Sequence, residues 1–166
     1  MTSEARGKTP AYVGLGSNLD DPFAQIERAF ELLAAIPETE LVCRSSSYRS
    51  APFGPIEQPE FVNAVALLMT SLSAPVLLGQ LQEIERAQGR TASVRWGPRV
   101  LDLDLLVFGD RKIDSPNLTV PHPGIAERNF VLLPLREIAA ELVIPCLGRV
   151  ADIAVNELEP HISRID

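Results

Sequence analysis

Two amphipathic helical patterns, separated by two strand patterns in direct succession, constrain the fold of this 166-residue chain more than any other feature. The first strand pattern, AYVGLGS from Ala11, runs into a turn punctuated by Gly14 and Gly16. Asp20, Asp21 and Pro22 then combine capping acids with a proline suited to the first helical position. Phe23, Ile26, Phe30 and Leu33 follow at helical spacing, and the helix should stop before Pro37. LVCRSSSYRS and PEFVNAVALLMTS have the β-branched and aromatic content of strands, with the constrained loop PFGPIEQP between them. Ser73 and Pro75 open a second helix through Leu77, Leu78, Leu81 and Ile84, which Gly89 is placed to end. DLDLLVF supplies another strand. The order β, α, β, β, α, β predicts an α+β fold, a ferredoxin-like α/β sandwich with a largely antiparallel sheet. Beyond it, the remainder from NFVLLPLREIAAELVIP to the C-terminus reads as alternating short helical and extended pieces, with GRVADIAVNEL as a last helix.

The bulk numbers suit one domain with a real core: 46% of the residues are hydrophobic. We expect a flexible lead-in over residues 1–9 and a single domain over 10–166. No apolar run approaches a membrane span of about 20 residues, and MTSEARGKTP lacks the apolar centre of a signal peptide, so a cytoplasmic protein is expected, with no membrane partner. Cys43 and Cys146 lie far apart without metal-ligand spacing and read as reduced packing residues. A doubly wound dinucleotide fold has little support, because GLGSN does not complete GxGxxG and no P-loop occurs.

The stretch RAQGRTASVRWGPRVLDLD carries the chemistry. In a strand the side-chain period is two, so Asp102 and Asp104 share one face while Leu101, Leu103 and Leu105 share the other. Paired carboxylates on one open face repel unless a cation lies between them, and one or two carboxylates are the usual protein ligands of Mg2+ beside a polyphosphate. The alternation by itself fits an ordinary half-exposed strand equally well. Arg86, Arg90, Arg95 and Arg99 tip the balance, for they precede the aspartates without an intervening acid in a chain of net charge −7. A nucleic-acid binder would spread such charge over a face; confined to one segment, it suits a small polyanion.

Set beside its neighbours, RWGPRVLDLDLLVFG followed by LTVPHPGIAERNFVLLPL closely resembles the signature of the 6-hydroxymethyl-7,8-dihydropterin pyrophosphokinase family. YVGLGSNLDDP and SYRSAPFGPIEQPEFVNAV match the same family in the same order, so the resemblance covers about residues 11–150. It implies transfer of pyrophosphate from ATP to the hydroxymethyl group of the pterin, with release of AMP, in folate biosynthesis. It further implies that Asp102 and Asp104 hold two Mg2+ ions, and that Arg90, Arg95 and Arg99 belong to a mobile lid over the phosphates. Gln82, Glu85, Leu105, Thr119, His122, Arg128 and again Arg99 fall at positions for ATP. Phe61 and Phe130 fall where the family sandwiches the pterin ring, and Asn63 where it reads the ring's edge. By the same resemblance, Ser50, Ala51, Pro52 and Phe53 are expected to supply further pterin contacts, and Trp96 to pack against the adenine side or close the lid over the ring. Arg86 fits an ordinary helix position, and a surface helix charge remains an alternative for Glu85.

Two departures stand out. The lid is about one residue short, with Ala92 where a further arginine is sometimes found, and Asn117 stands where some members carry an arginine toward ATP. The expected partners are the two small substrates, with no nucleic acid, and a monomer is expected. The alternative from another class is a non-catalytic ferredoxin-like module that binds pterin or nucleotide. A generic metal-dependent phosphoesterase or glycosyltransferase leaves the pterin motif and the arginines unused.

Overall fold

The computed structural model describes residues 7–51, 57–88, 100–155 and 161–165. Its centre is β1 (Thr9–Ser17), α1 (Pro22–Ala34), β2 (Thr39–Arg44), β3 (Tyr48–Ser50), β4 (Phe61–Thr70), α2 (Ala74–Ala87) and β5 (Asp102–Phe108). Pro22 is the first residue of α1, and Asp21 caps it by accepting from the Ala24 N–H. Ser73 does the same for α2 through the Val76 N–H. Both caps satisfy donors that a helix leaves open at its start.

The sheet runs β10-β3-β4-β1-β5, with β10 formed by Ile162–Arg164, and every pairing is antiparallel. β2 lies along the same edge of β4 as β3, one after the other. The expected single strand LVCRSSSYRS is thus broken in two at Ser45–Ser47, where the Ser45 hydroxyl accepts the Val65 N–H. Strands β1 and β4 sit side by side in the middle, each crossed over by a helix, which is the ferredoxin-like arrangement expected from the element order.

α1 and α2 cover one face. Ile26, Phe30 and Leu33 of α1 and Leu77 and Leu81 of α2 pack with Val13, Leu15, Leu68, Leu103 and Leu105 of the sheet. Each such aliphatic side chain contributes roughly 1.5–3 kcal/mol by leaving water. Phe23, expected in the apolar stripe of α1, is 45% exposed, because it falls in the first turn beyond the sheet-facing row.

The other face carries a second core. α3 (Asn129–Ala139) packs Val131, Leu132 and Leu135 against Tyr12, Val65, Leu106 and Val107. It is one continuous helix with Pro134 inside it, and the short extended and helical pieces expected of the C-terminal part follow it. β6 (Ile113–Ser115) and β7 (Leu118–Val120) form a small hairpin before it, and β8 (Val143–Ile144) and β9 (Gly148–Arg149) another after it. The helix expected over GRVADIAVNEL is only a 3-10 turn, Val150–Asp152; Ile153 is extended, and residues 156–160 lie outside the described set. Cys43 is partly buried but Cys146 is exposed at a positive φ, so Cys146 is a turn residue and not a packing one. No helix among the described residues is long and apolar enough to cross a membrane.

Candidate active site

Strand register decides which residues meet. Tyr48 of β3 stands opposite Asn63 of β4, Asn63 opposite Gly16 of β1, and Gly16 opposite Asp102 of β5. The next row on the same face is Val65, Gly14 and Asp104. At about 4.8 Å between neighbouring strands, Asn63 and Asp102 are roughly 10 Å apart across the glycine strand. α3 covers the face over the Val65 end, with Phe130, partly buried, at the start of the helix.

Asp102 and Asp104 are both partly exposed, while Leu103 is 5% exposed on the opposite face. The backbone N–H of Leu103, between the two aspartates, donates to Glu85 Oε2 at 2.8 Å. Glu85 is 7% exposed, so it is not the surface helix charge left open above; it reaches the outer edge of β5 and fixes the backbone that presents the pair. Gln82, one turn earlier, is exposed, so the two do not share an environment. Among the described residues no group of three or more His, Cys, Asp or Glu side chains converges as a cage. Two half-exposed hard oxygen donors suit an ion that takes the rest of its shell from substrate and water, which is how Mg2+ binds.

His122 follows β7, and its N–H donates to the Leu106 carbonyl at 2.8 Å. Its Nδ1 accepts from the Gly124 N–H at 3.0 Å. Burial, and then the neighbouring Arg128 charge, hold the ring below its ordinary pKa, although Asp102 acts the other way. The neutral ring therefore carries its hydrogen on Nε2, which lies 4.0 Å from Asp104 Oδ1. Its nitrogens are a used acceptor and a donor, so it is a hydrogen-bond donor and not a base. The Arg128 guanidinium lies against Gly124, where a Cβ would come within 2.7 Å of Nε, and its Cζ is 5.9 Å from the Phe130 ring centre. Thr119 is exposed on the β6–β7 hairpin, paired with Asp114. Leu105 packs its side chain into the core on the helix face, opposite the aspartates, so only its backbone remains for a nucleotide.

At the Asn63 end of the row, Ser50 is 1% exposed and donates from Oγ to Asn63 Oδ1 at 2.8 Å. That bond fixes the amide: Nδ2 is the group turned toward Gly16, 3.0 Å from where a Cβ there would stand. Phe61 Cδ1 is 4.0 Å from the same point. Gly16 is thus the bare floor between Phe61, Asn63 and Asp102, a role the sequence reading missed by treating it as turn punctuation. Asn18, 2% exposed, donates to Gln58 Oε1 and the Pro59 carbonyl, tying the approach to β4 down beside the floor. Ala51 is partly buried next to Ser50. Pro52, Phe53, Arg90, Arg95, Trp96 and Arg99 lie outside the described residues, as does Ala92.

Comparison with known proteins shows the family. The family model described as 7,8-dihydro-6-hydroxymethylpterin-pyrophosphokinase (HPPK) matches residues 12–140. A protein of Haemophilus influenzae named 2-amino-4-hydroxy-6-hydroxymethyldihydropteridine pyrophosphokinase is 48% identical over 135 residues, 81% of this chain and 84% of that protein. One of the same name from Methylorubrum extorquens is 42% identical over 159 residues, 95% of this chain and 99% of its own. Among solved structures, Plasmodium falciparum HPPK-DHPS wild type with STZ-DHP superimposes with a TM-score of 0.68 at 12% identity over 88% of this chain. An HPPK-DHPS in complex with substrates gives 0.71 at 12% identity over 89%. This chain spans only 42% and 43% of those two, and at such identity they speak for the fold alone.

Proposed function

Because the chain belongs to the 7,8-dihydro-6-hydroxymethylpterin-pyrophosphokinase family, we propose that it transfers the pyrophosphoryl group of ATP to the hydroxymethyl oxygen of the dihydropterin in folate biosynthesis. The observation that carries the site assignment is the row Asn63, Gly16, Asp102, which sets an amide, a bare floor and a carboxylate pair in line across the sheet. A flat bicyclic ring read at one end by Asn63 directs its one-carbon arm toward Asp102.

In the reaction the hydroxymethyl oxygen forms a bond to the β-phosphorus, and the bond from that phosphorus to the α,β-bridging oxygen breaks. The bridging oxygen leaves with AMP, and the hydroxyl proton passes to solvent or to a phosphate oxygen. Such a transfer depends on alignment and on neutralising crowded charge. Asn63, held by Ser50, orients the ring, and Phe61 and Phe130 take its two faces. Asp102 and Asp104 would hold Mg2+, as two ions, which supplies charge neutralisation and makes the hydroxyl more acidic. His122 Nε2–H donates to an oxygen at the Asp104 side, and Arg128 offers a guanidinium to the phosphates. Arg90, Arg95 and Arg99, which precede β5 in sequence, would add cations for the phosphates. Use of ATP supports a cytoplasmic setting.

The test is the nucleotide product. Incubated with ATP, Mg2+ and 6-hydroxymethyl-7,8-dihydropterin, the protein yields AMP and the pterin diphosphate. ADP as the main product, or no pterin-dependent turnover, refutes the assignment.

A further inference from the structure

The walls of the proposed pterin pocket belong to different layers. Phe61 and Asn63 stand on β4, whereas Phe130 stands on α3, which is fastened to the sheet by Val131, Leu132 and Leu135. Apolar burial is non-directional and does not by itself fix how a helix sits along a sheet. A ring held between two aromatic faces needs a wall separation of about twice the ~3.5 Å contact distance, and a gap of ~0.5–1 Å already forfeits a quarter to a half of each contact.

A directional tie exists two turns after Phe130. The Glu137 carboxylate accepts the Ser46 N–H at 3.0 Å, the Ser46 hydroxyl at 3.0 Å and the Tyr48 hydroxyl at 2.8 Å, and Arg164 of β10 lies 3.8 Å from it. These partners are not remote from the pocket. Tyr48 is the direct cross-strand neighbour of Asn63, and Ser50, two residues along the same short strand, fixes the Asn63 amide. The helix that carries one wall is therefore hydrogen-bonded to the strand that orients the other.

We propose that Glu137 is a positioning residue for pterin binding, setting α3 and Phe130 at the spacing from Phe61 and Asn63 that a flat ring requires. The inference rests on the pterin-pocket reading above. Glu137 touches no substrate; it acts through α3 and β3. A purely structural carboxylate would lower stability and leave the affinity of the folded protein unchanged, and that difference is the test.

Calorimetric titration with 6-hydroxymethylpterin in the presence of a non-hydrolysable ATP analogue, and with the analogue alone, measures the two affinities separately in wild type, Glu137→Ala, Tyr48→Phe and the double variant. Loss of several charge-assisted hydrogen bonds should raise the pterin Kd of Glu137→Ala about tenfold, with the ATP-analogue Kd within about twofold. Tyr48→Phe, which removes one bond, should raise it about two- to threefold, and the double variant should bind no worse than Glu137→Ala, because both changes cut the same tie. A folded Glu137→Ala protein with wild-type pterin affinity, or with both affinities equally weakened, overturns the inference. If Glu137→Ala does not fold, Tyr48→Phe decides: an unchanged pterin Kd overturns the inference, and a selective rise upholds it. Wild-type protein that binds no pterin overturns the pocket reading itself, and this inference with it.

Discussion

Replacing Gly16 by alanine separates catalysis from stability in one step. Gly16 has no left-handed backbone, so alanine fits its conformation, and a strand residue gains roughly 0.5–1 kcal/mol when glycine becomes alanine. The new Cβ, however, would stand 3.0 Å from Asn63 Nδ2, inside the ~3.5 Å of ordinary contact. Asn63 has little freedom to yield, for it is 7% exposed and held through Oδ1 by Ser50. Turning the amide aside removes one buried hydrogen bond to the ring edge, about 1–3 kcal/mol. At about 1.4 kcal/mol per factor of ten, kcat/KM for the pterin should fall roughly five- to 150-fold. Stability should change by less than about 1 kcal/mol, since the propensity gain offsets the contact. AMP formation over a range of pterin concentrations, with urea denaturation alongside, measures both. Gly14→Ala is the control: its Cβ would meet Leu106 at an ordinary 3.5 Å, and activity should stay within about threefold of wild type. A Gly16→Ala enzyme with wild-type kcat/KM for pterin would show that Asn63 does not read the ring above this floor.

Three further outcomes follow from the same site. Asp104→Ala should abolish AMP formation by at least about a hundredfold while the protein stays folded, because a half-exposed carboxylate is dispensable to the core but not to charge neutralisation; full turnover would refute the metal assignment. Glu85→Ala should cost about 1–3 kcal/mol in denaturant unfolding by stranding the Leu103 N–H, and Glu85→Gln should recover much of it through its amide oxygen. The Tyr48 hydroxyl pKa is pushed up to about 12 by burial and then by Glu137, a raised value whose stabilisation is whole below the ordinary tyrosine value of 10.0 and is lost as pH rises toward 12. Burial pushes Glu137 up, but the bonds from Tyr48 and Ser46 and the Arg164 charge outweigh it and hold the carboxyl low, so its stabilisation is whole above pH 4.5 and is lost as pH falls below that. Unfolding curves at stepped pH should show both losses in wild type, and Glu137→Gln should flatten the acid one; an unchanged acid limb would refute the tie.

Local signals were legible wherever one short segment decides the outcome. Asp21 and Ser73 cap the helices they were expected to cap, and the alternation in DLDLLVF places Leu103 and Leu105 in the core with both aspartates partly exposed on the other face. Signals failed where a distant element overrides the segment. Ser45–Ser47 splits a strand because the Ser45 hydroxyl takes a hydrogen bond from β4. A surface helix charge stayed open as the alternative for Glu85 because its partner, the Leu103 N–H, lies 18 residues along the chain on an edge strand.

The sequence by itself determined the order of elements, the two faces of each strand, and through its ordered motifs the family and the chemistry. Side-chain periodicity is local, so it says that Asp102 and Asp104 share a strand face and nothing about which residues of other strands are their neighbours. Only the tertiary structure decided that, because register is set jointly by four strands and by the helix packed over them. It made Gly16 a floor, buried Glu85 behind the aspartates and joined Glu137 to the strand beside Asn63, three roles that no stretch of residues carries within itself.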